Sequence, residues 1–107
     1  MRLPTLTQDA MTPAQLAVYN AVVAGKRGSM PPPTMAWLNS PEFAMRGQHL
    51  GEFIRFDTCF GPAWVEIAIL VTAKYWRAHF EWWAHRRIAE AAGLDAAIID
   101  AIRDGRD

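Results

Sequence analysis

Cysteine is almost missing from this chain. Its 107 residues include one, Cys59, which excludes an internal disulfide framework, a zinc ribbon and a CxxC redox pair. No charge sign is in excess either, since 11 Lys and Arg balance 11 Asp and Glu. That balance gives no electrostatic reason to expect nucleic acid or an anionic membrane as partner. Long apolar runs are also lacking. Ile67 to Val71 is bounded by Glu66 and Thr72, far short of the roughly 20 residues that cross a bilayer. No long apolar stretch follows Met1-Arg2-Leu3-Pro4-Thr5, so a signal peptide is not expected and a cytoplasmic protein is the default.

Ordinary globular chemistry is what remains. Hydrophobic residues make up 51% and charged residues 21%, which argues against disorder and for one folded domain over residues 1–107. Five tryptophans are many for this length and point to large buried anchors or an oligomer interface.

Proline and glycine punctuate a series of expected helices. Thr12-Pro13-Ala14-Gln15 is a capping-box pattern, with proline suited to the first turn. Leu16, Tyr19, Val22 and Val23 follow at helical spacing, and Gly25 is expected to close the helix in a left-handed conformation. Lys26 to Pro33 is expected to be a loop, because successive prolines forbid a helix interior. Met35, Trp37 and Leu38 are expected to pack as a short apolar turn. Ser40-Pro41-Glu42 is a second helix start, with Phe43, Leu50, Phe53 and Ile54 as its apolar positions. Gly61-Pro62 opens the next helix. From Ala63 to Ala92 there is no proline or glycine; a helix that long is unusual, and a break near Arg77 to His79 is expected. Gly93 stops it, and Asp95 caps a last helix that Gly105 ends. No alternating pattern calls for strands. The fold class is all-α.

The residues suited to chemistry lie in this long segment. Glu66 sits among apolar residues, so its carboxylate must be paired, hydrogen-bonded or neutral. Glu81 and His85 are four apart and share a helix face. If Glu66 approaches them, the three have the ingredients of a proton-transfer site, with a carboxylate fixing the imidazole tautomer. The plainer alternative is a surface Glu81–His85 pair, with Glu66 bonded to a nearby arginine.

Several motifs together resemble the carboxymuconolactone decarboxylase family, which includes the alkylhydroperoxidase D-like proteins. They are Glu66-Ile67-Ala68-Ile69-Leu70, Ala73-Lys74, Glu81-Trp82-Trp83-Ala84-His85 and Ala92-Gly93-Leu94, with Arg2-Leu3-Pro4, Asn39-Ser40-Pro41-Glu42 and Arg55-Phe56-Asp57-Thr58. The peroxidase branch of that family carries a glutamate, eleven residues, a cysteine, two residues, a second cysteine, three residues and a histidine. Glu66 and His85 fit its ends, but Ala78 and Glu81 stand where the cysteines belong. Thiol–disulfide chemistry needs both thiols. The match is therefore closer to a subgroup with a Glu-Trp and a histidine three residues on, lacking the pair.

The resemblance implies an alkylhydroperoxidase D-like helical fold assembled as a homotrimer or homohexamer, and a chain that usually continues for some tens of residues. The present chain is thus expected to be a fragment or a short version. It also implies a small-molecule enzyme of decarboxylase or lactone type, with Glu66, Glu81 and His85 as catalytic groups. The family's peroxidase, peroxiredoxin-type label is disfavoured without the cysteines, and a non-catalytic oligomeric ligand-binding protein is the other alternative.

The remaining residues carry weaker expectations. Trp76, Trp82 and Trp83 are candidates for an aromatic substrate-binding wall, or plain core and subunit packing. Arg77, Arg86 and Arg87 read as a solvated basic face, or as a carboxylate binder if the substrate is acidic. His49, His79 and His85 do not give a zinc-helix spacing, so neither metal nor cofactor is expected. Cys59 reads as an incidental thiol.

Overall fold

The computed structural model describes Leu3 and residues 6–106. Arg2 and Pro4 of the opening motif lie outside the described residues. Among the described residues there are no strands; a short 3-10 turn, Gln8–Ala10, precedes six α-helices. These are α1 (Pro13–Ala24), α2 (Pro32–Trp37), α3 (Pro41–Phe56), α4 (Pro62–Tyr75), α5 (His79–Ala91) and α6 (Ala96–Asp104). None is long and apolar enough to cross a membrane. The chain divides into two compact units, Met1–Asp57 and Thr58–Asp107, and each holds its own buried cluster.

In the first unit, α1 begins with the capping box. Gln15 N–H donates to Thr12 Oγ1 and Thr12 N–H donates to Gln15 Oε1, at 3.4 and 2.9 Å. Val18 and Val22, one helical turn apart, carry the buried face and pack with Leu38 and Ala44. Leu16 and Val23 lie outside that face and are exposed. Gly25 does close α1, but with φ −77° it is extended rather than left-handed. The proline run does not extend the loop as far as expected. Pro31 sits at the N-cap and Pro32 and Pro33 open α2, positions where a missing N–H costs nothing. Leu38, at the C-cap of α2, is fully buried.

The buried face of α3 differs from the apolar pattern in its sequence. Ala44 and Gln48 are buried, whereas Phe43, Leu50, Phe53 and Ile54 are exposed. Small Ala44 lets α3 approach α1 and α2, and the larger apolar groups are left on other faces. Gln48 is only 2% exposed. Its Nε2 reaches the Met45 sulfur at 4.0 Å, and its Oε1 finds no partner among the described residues. An unsatisfied buried acceptor is costly, so Gln48→Met is expected to raise stability by about 1 kcal/mol in urea unfolding. A loss of that size would show that the amide oxygen is satisfied in solution.

In the second unit, the long segment is two helices. Arg77 breaks it, at φ 52° the one non-glycine residue in the left-handed region among the described residues. Arg77 N–H donates to the Lys74 carbonyl at 3.2 Å and Ala78 N–H to the Ala73 carbonyl at 2.8 Å. This is a Schellman ending, which satisfies carbonyls left over at the C-terminus of α4. The same bond pattern closes α5 at Gly93 and α6 at Gly105, with φ 82° and 68°. Glycine adopts that conformation freely, whereas an L-residue with a side chain pays roughly 1–2 kcal/mol.

The turn lets α5 pack along α4. Val65, Glu66, Leu70 and Ala73 are the buried residues of α4, and His85 and Ala89 those of α5. Leu70, Ala89, Leu94 and Ile99 form the core, with Ile67, Trp82 and Ile102 packed around it. Asp95 caps α6 by accepting from Ala97 N–H at 2.8 Å.

Candidate functional site

Glu66 and His85 reach the same place from different helices. Glu66 lies one turn before Leu70 and two before Ala73, on the face of α4 that packs inward. His85 lies one turn before Ala89 on the inward face of α5. Their side chains are 4% and 11% exposed, and Glu66 Oε2 is 2.7 Å from His85 Nδ1. That length fits a charge-assisted hydrogen bond from Nδ1–H to the carboxylate. The alternative in which Glu66 bonds an arginine is not what the structure shows.

The other face of the imidazole meets Glu81. Its Oε2 is 3.4 Å from His85 Nε2, and its side chain is 38% exposed. The imidazole therefore stands between one buried and one half-exposed carboxylate. With hydrogen on Nδ1 alone, His85 donates to Glu66 and keeps Nε2 as a proton acceptor beside Glu81; with hydrogen on both nitrogens it can donate to both sides. In either state Nε2 is the nitrogen beside the more exposed carboxylate. This arrangement can take up or deliver a proton at Nε2 while Glu66 fixes the orientation of the ring. Among the described residues, no group of three His, Cys, Asp or Glu side chains is placed to hold a metal ion.

The three tryptophans have different surroundings. Trp82 is half-buried against the core. Trp76 is exposed at the end of α4 and meets Tyr75 edge-on at 5.1 Å. Trp83 is exposed, 6.1 Å from Phe80, and carries the Arg87 guanidinium over its ring at 4.5 Å. The three arginines differ in their contacts as well. Arg86 pairs with Glu90 at 2.9 Å, Arg87 lies on Trp83, and Arg77 sits in the turn. Cys59 is exposed and free.

Sequence reasoning missed a second feature. A pocket of about 420 Å³ lies where α4 ends and α5 begins, lined by Lys74, Arg77, His79, Trp82 and Arg103 with Ala73 and Ala78. None of Glu66, Glu81 and His85 lines it. The signal available in the sequence was the basic residue at the expected break, but nothing there says that Arg103 of α6 comes to the same corner.

No protein-family model matches the chain, and no significant match to it was found among curated proteins or among solved structures.

Proposed function

We propose that the second unit carries a proton-transfer site for a small-molecule substrate, with His85 as the acid–base group, Glu66 as its orienting carboxylate and Glu81 as the carboxylate at the open side. The observation that carries this reading is the buried 2.7 Å contact between Glu66 Oε2 and His85 Nδ1. That contact supplies a tautomer-fixing acceptor for an imidazole whose other nitrogen lies beside the partly exposed Glu81. The resemblance to the carboxymuconolactone decarboxylase family, in its alkylhydroperoxidase D-like fold, supports decarboxylase or lactone-type chemistry. In a decarboxylation, the carbon–carboxylate bond breaks, carbon dioxide leaves, and the electron pair left on carbon takes a proton from His85. Glu81 would help return a proton to Nε2 from solvent.

A peroxidase of thiol type is not part of this proposal. Ala78 and Glu81 occupy the positions of the thiol pair, and Cys59 is in the connector before α4. A homo-oligomer of cytoplasmic enzymes of this kind is the setting we propose. Its support is the number of large apolar side chains left exposed, among them Phe43 and Leu50 on α3 and Trp64 and Tyr75 on α4, which a monomer rarely displays together.

The test is a screen of small carboxylic acids and lactones for turnover, followed by His85→Asn on any substrate found. Loss of an acid–base group costs on the order of 10²–10⁴-fold in rate. Equal turnover by His85→Asn and the unchanged protein would remove His85 from the chemistry. A second reading, a ligand-binding protein with a structural ion pair, is favoured by one fact: Glu66 and His85 are both almost fully enclosed. That reading expects no turnover, with loss of stability when the pair is broken.

A further inference from the structure

We propose that the pocket at the α4–α5 corner is a binding site for a small flat carboxylate, an aromatic or conjugated acid, held at its acid group by Arg77 with Lys74 and His79 and at its carbon skeleton by Trp82. The site is distinct from the proton-transfer residues and stands whether or not they are catalytic, because none of them lines it.

Size and lining select this ligand class. A volume of about 420 Å³ falls within the range of small-molecule pockets. Among the described residues the lining has no carboxylate side chain, while four of its residues, Lys74, Arg77, His79 and Arg103, carry nitrogen donors. Not all of these donors are equally available. Arg103 is held at 2.8 Å by Asp100 and by Asp104, and it draws the Asp104 carboxyl below its ordinary range, mainly through that hydrogen bond. Lys74 Nζ donates to the Arg103 carbonyl, which leaves further N–H groups on the same ammonium. These contacts fix the α6 side of the pocket and leave the opposite side to Arg77 and His79.

Arg77 is the residue that the local backbone does not ask for. Both other left-handed helix ends in this unit are glycines. Here an arginine lines the pocket, exposed and in no ion pair among the described residues. Ala78, which also lines the pocket, supplies no side-chain cap to α5, so the first-turn N–H groups of α5 receive no acceptor from it. Ala73, Ala78 and Trp82 form the apolar part of the wall. A guanidinium that can grip a carboxylate in two places, set beside an indole and two small residues, suits a planar acid better than a hydrated inorganic anion.

The experiment is an NMR titration of the 15N-labelled full chain with benzoate, benzyl alcohol and inorganic phosphate, repeated with Arg77→Gly. Glycine suits the backbone at this position, so the variant is expected to fold, with a melting temperature equal to or above that of the unchanged protein. Benzoate is expected to give saturable shifts at the His79 amide and the Trp82 indole. Arg77→Gly is expected to bind it about tenfold more weakly, the effect of one lost charge-assisted hydrogen bond. Benzyl alcohol, matched in shape but uncharged, is expected to give no saturable shift. Absence of saturable benzoate binding, equal binding by Arg77→Gly, or equal binding of benzyl alcohol would overturn the proposal. Phosphate binding as tight as benzoate would overturn the flat-acid assignment.

Discussion

Removing the His85 side chain alone, in His85→Leu, is expected to cost the fold about 3–5 kcal/mol, because it strands the Glu66 carboxylate in an apolar interior. Glu66 is 3% exposed, and its neighbours on the inward face of α4 are Val65, Leu70 and Ala73. Nothing in that set can replace the donor at Nδ1. Replacing both residues, in Glu66→Leu with His85→Leu, removes the charge together with its partner. The double variant is expected to lie within about 1 kcal/mol of the unchanged protein or above it, as other buried pairs do when exchanged for apolar groups. Urea unfolding of these three proteins and of Glu66→Leu alone measures the coupling between the two sites. Additive losses, with the double variant the least stable, would mean that the two side chains do not depend on each other. The same proteins separate the two functional readings: turnover by the unchanged protein that disappears in a stable double variant points to chemistry at the pair, and a double variant that loses stability in a protein without turnover points to architecture.

Leu70→Ala is expected to cost about 2–5 kcal/mol, the range for cutting a fully enclosed leucine back to a methyl group. Leu70 has no solvent exposure and lies in one cluster with Ala89, Leu94 and Ile99. It thus ties α4 to α5 and α6. The smallness of Ala89 leaves few nearby atoms free to move into the space, so the upper part of the range is the expectation. Ile98→Ala, one residue before the enclosed Ile99 but 43% exposed, is the matched control, and surface changes of that kind stay within about 0.5 kcal/mol. Comparable losses at Leu70 and Ile98 in thermal and urea unfolding would contradict the assignment of the core.

Helix ends were the most legible part of the sequence. Thr12 with Gln15, Gly61 with Pro62, Asp95 and Gly105 each act through a local hydrogen bond or a local backbone preference, which neighbours in the chain are enough to specify. A break in the long segment was expected from length alone, but propensity did not place it, and its form was not legible because a left-handed arginine has no local signature. The inward faces were harder to read. On α3 the sequence offers Phe43, Leu50 and Phe53, yet Ala44 and Gln48 are enclosed, since which stripe faces inward depends on the partners it meets. Glu66 and His85 stood out because a carboxylate in apolar surroundings needs a partner, and their meeting is a property of the α4–α5 turn that spacing suggests but does not dictate. The pocket depends on α6 reaching the same turn, a tertiary relation with no trace in any single segment.

The two carboxylates beside the His85 ring differ in their access to water. The one at Nδ1 is 4% exposed and the one at Nε2 is 38% exposed. If a hydrogen ion passes between this imidazole and the surroundings, Glu81 is therefore the better placed of the two to hand it over, and Glu66 the better placed to hold the ring still.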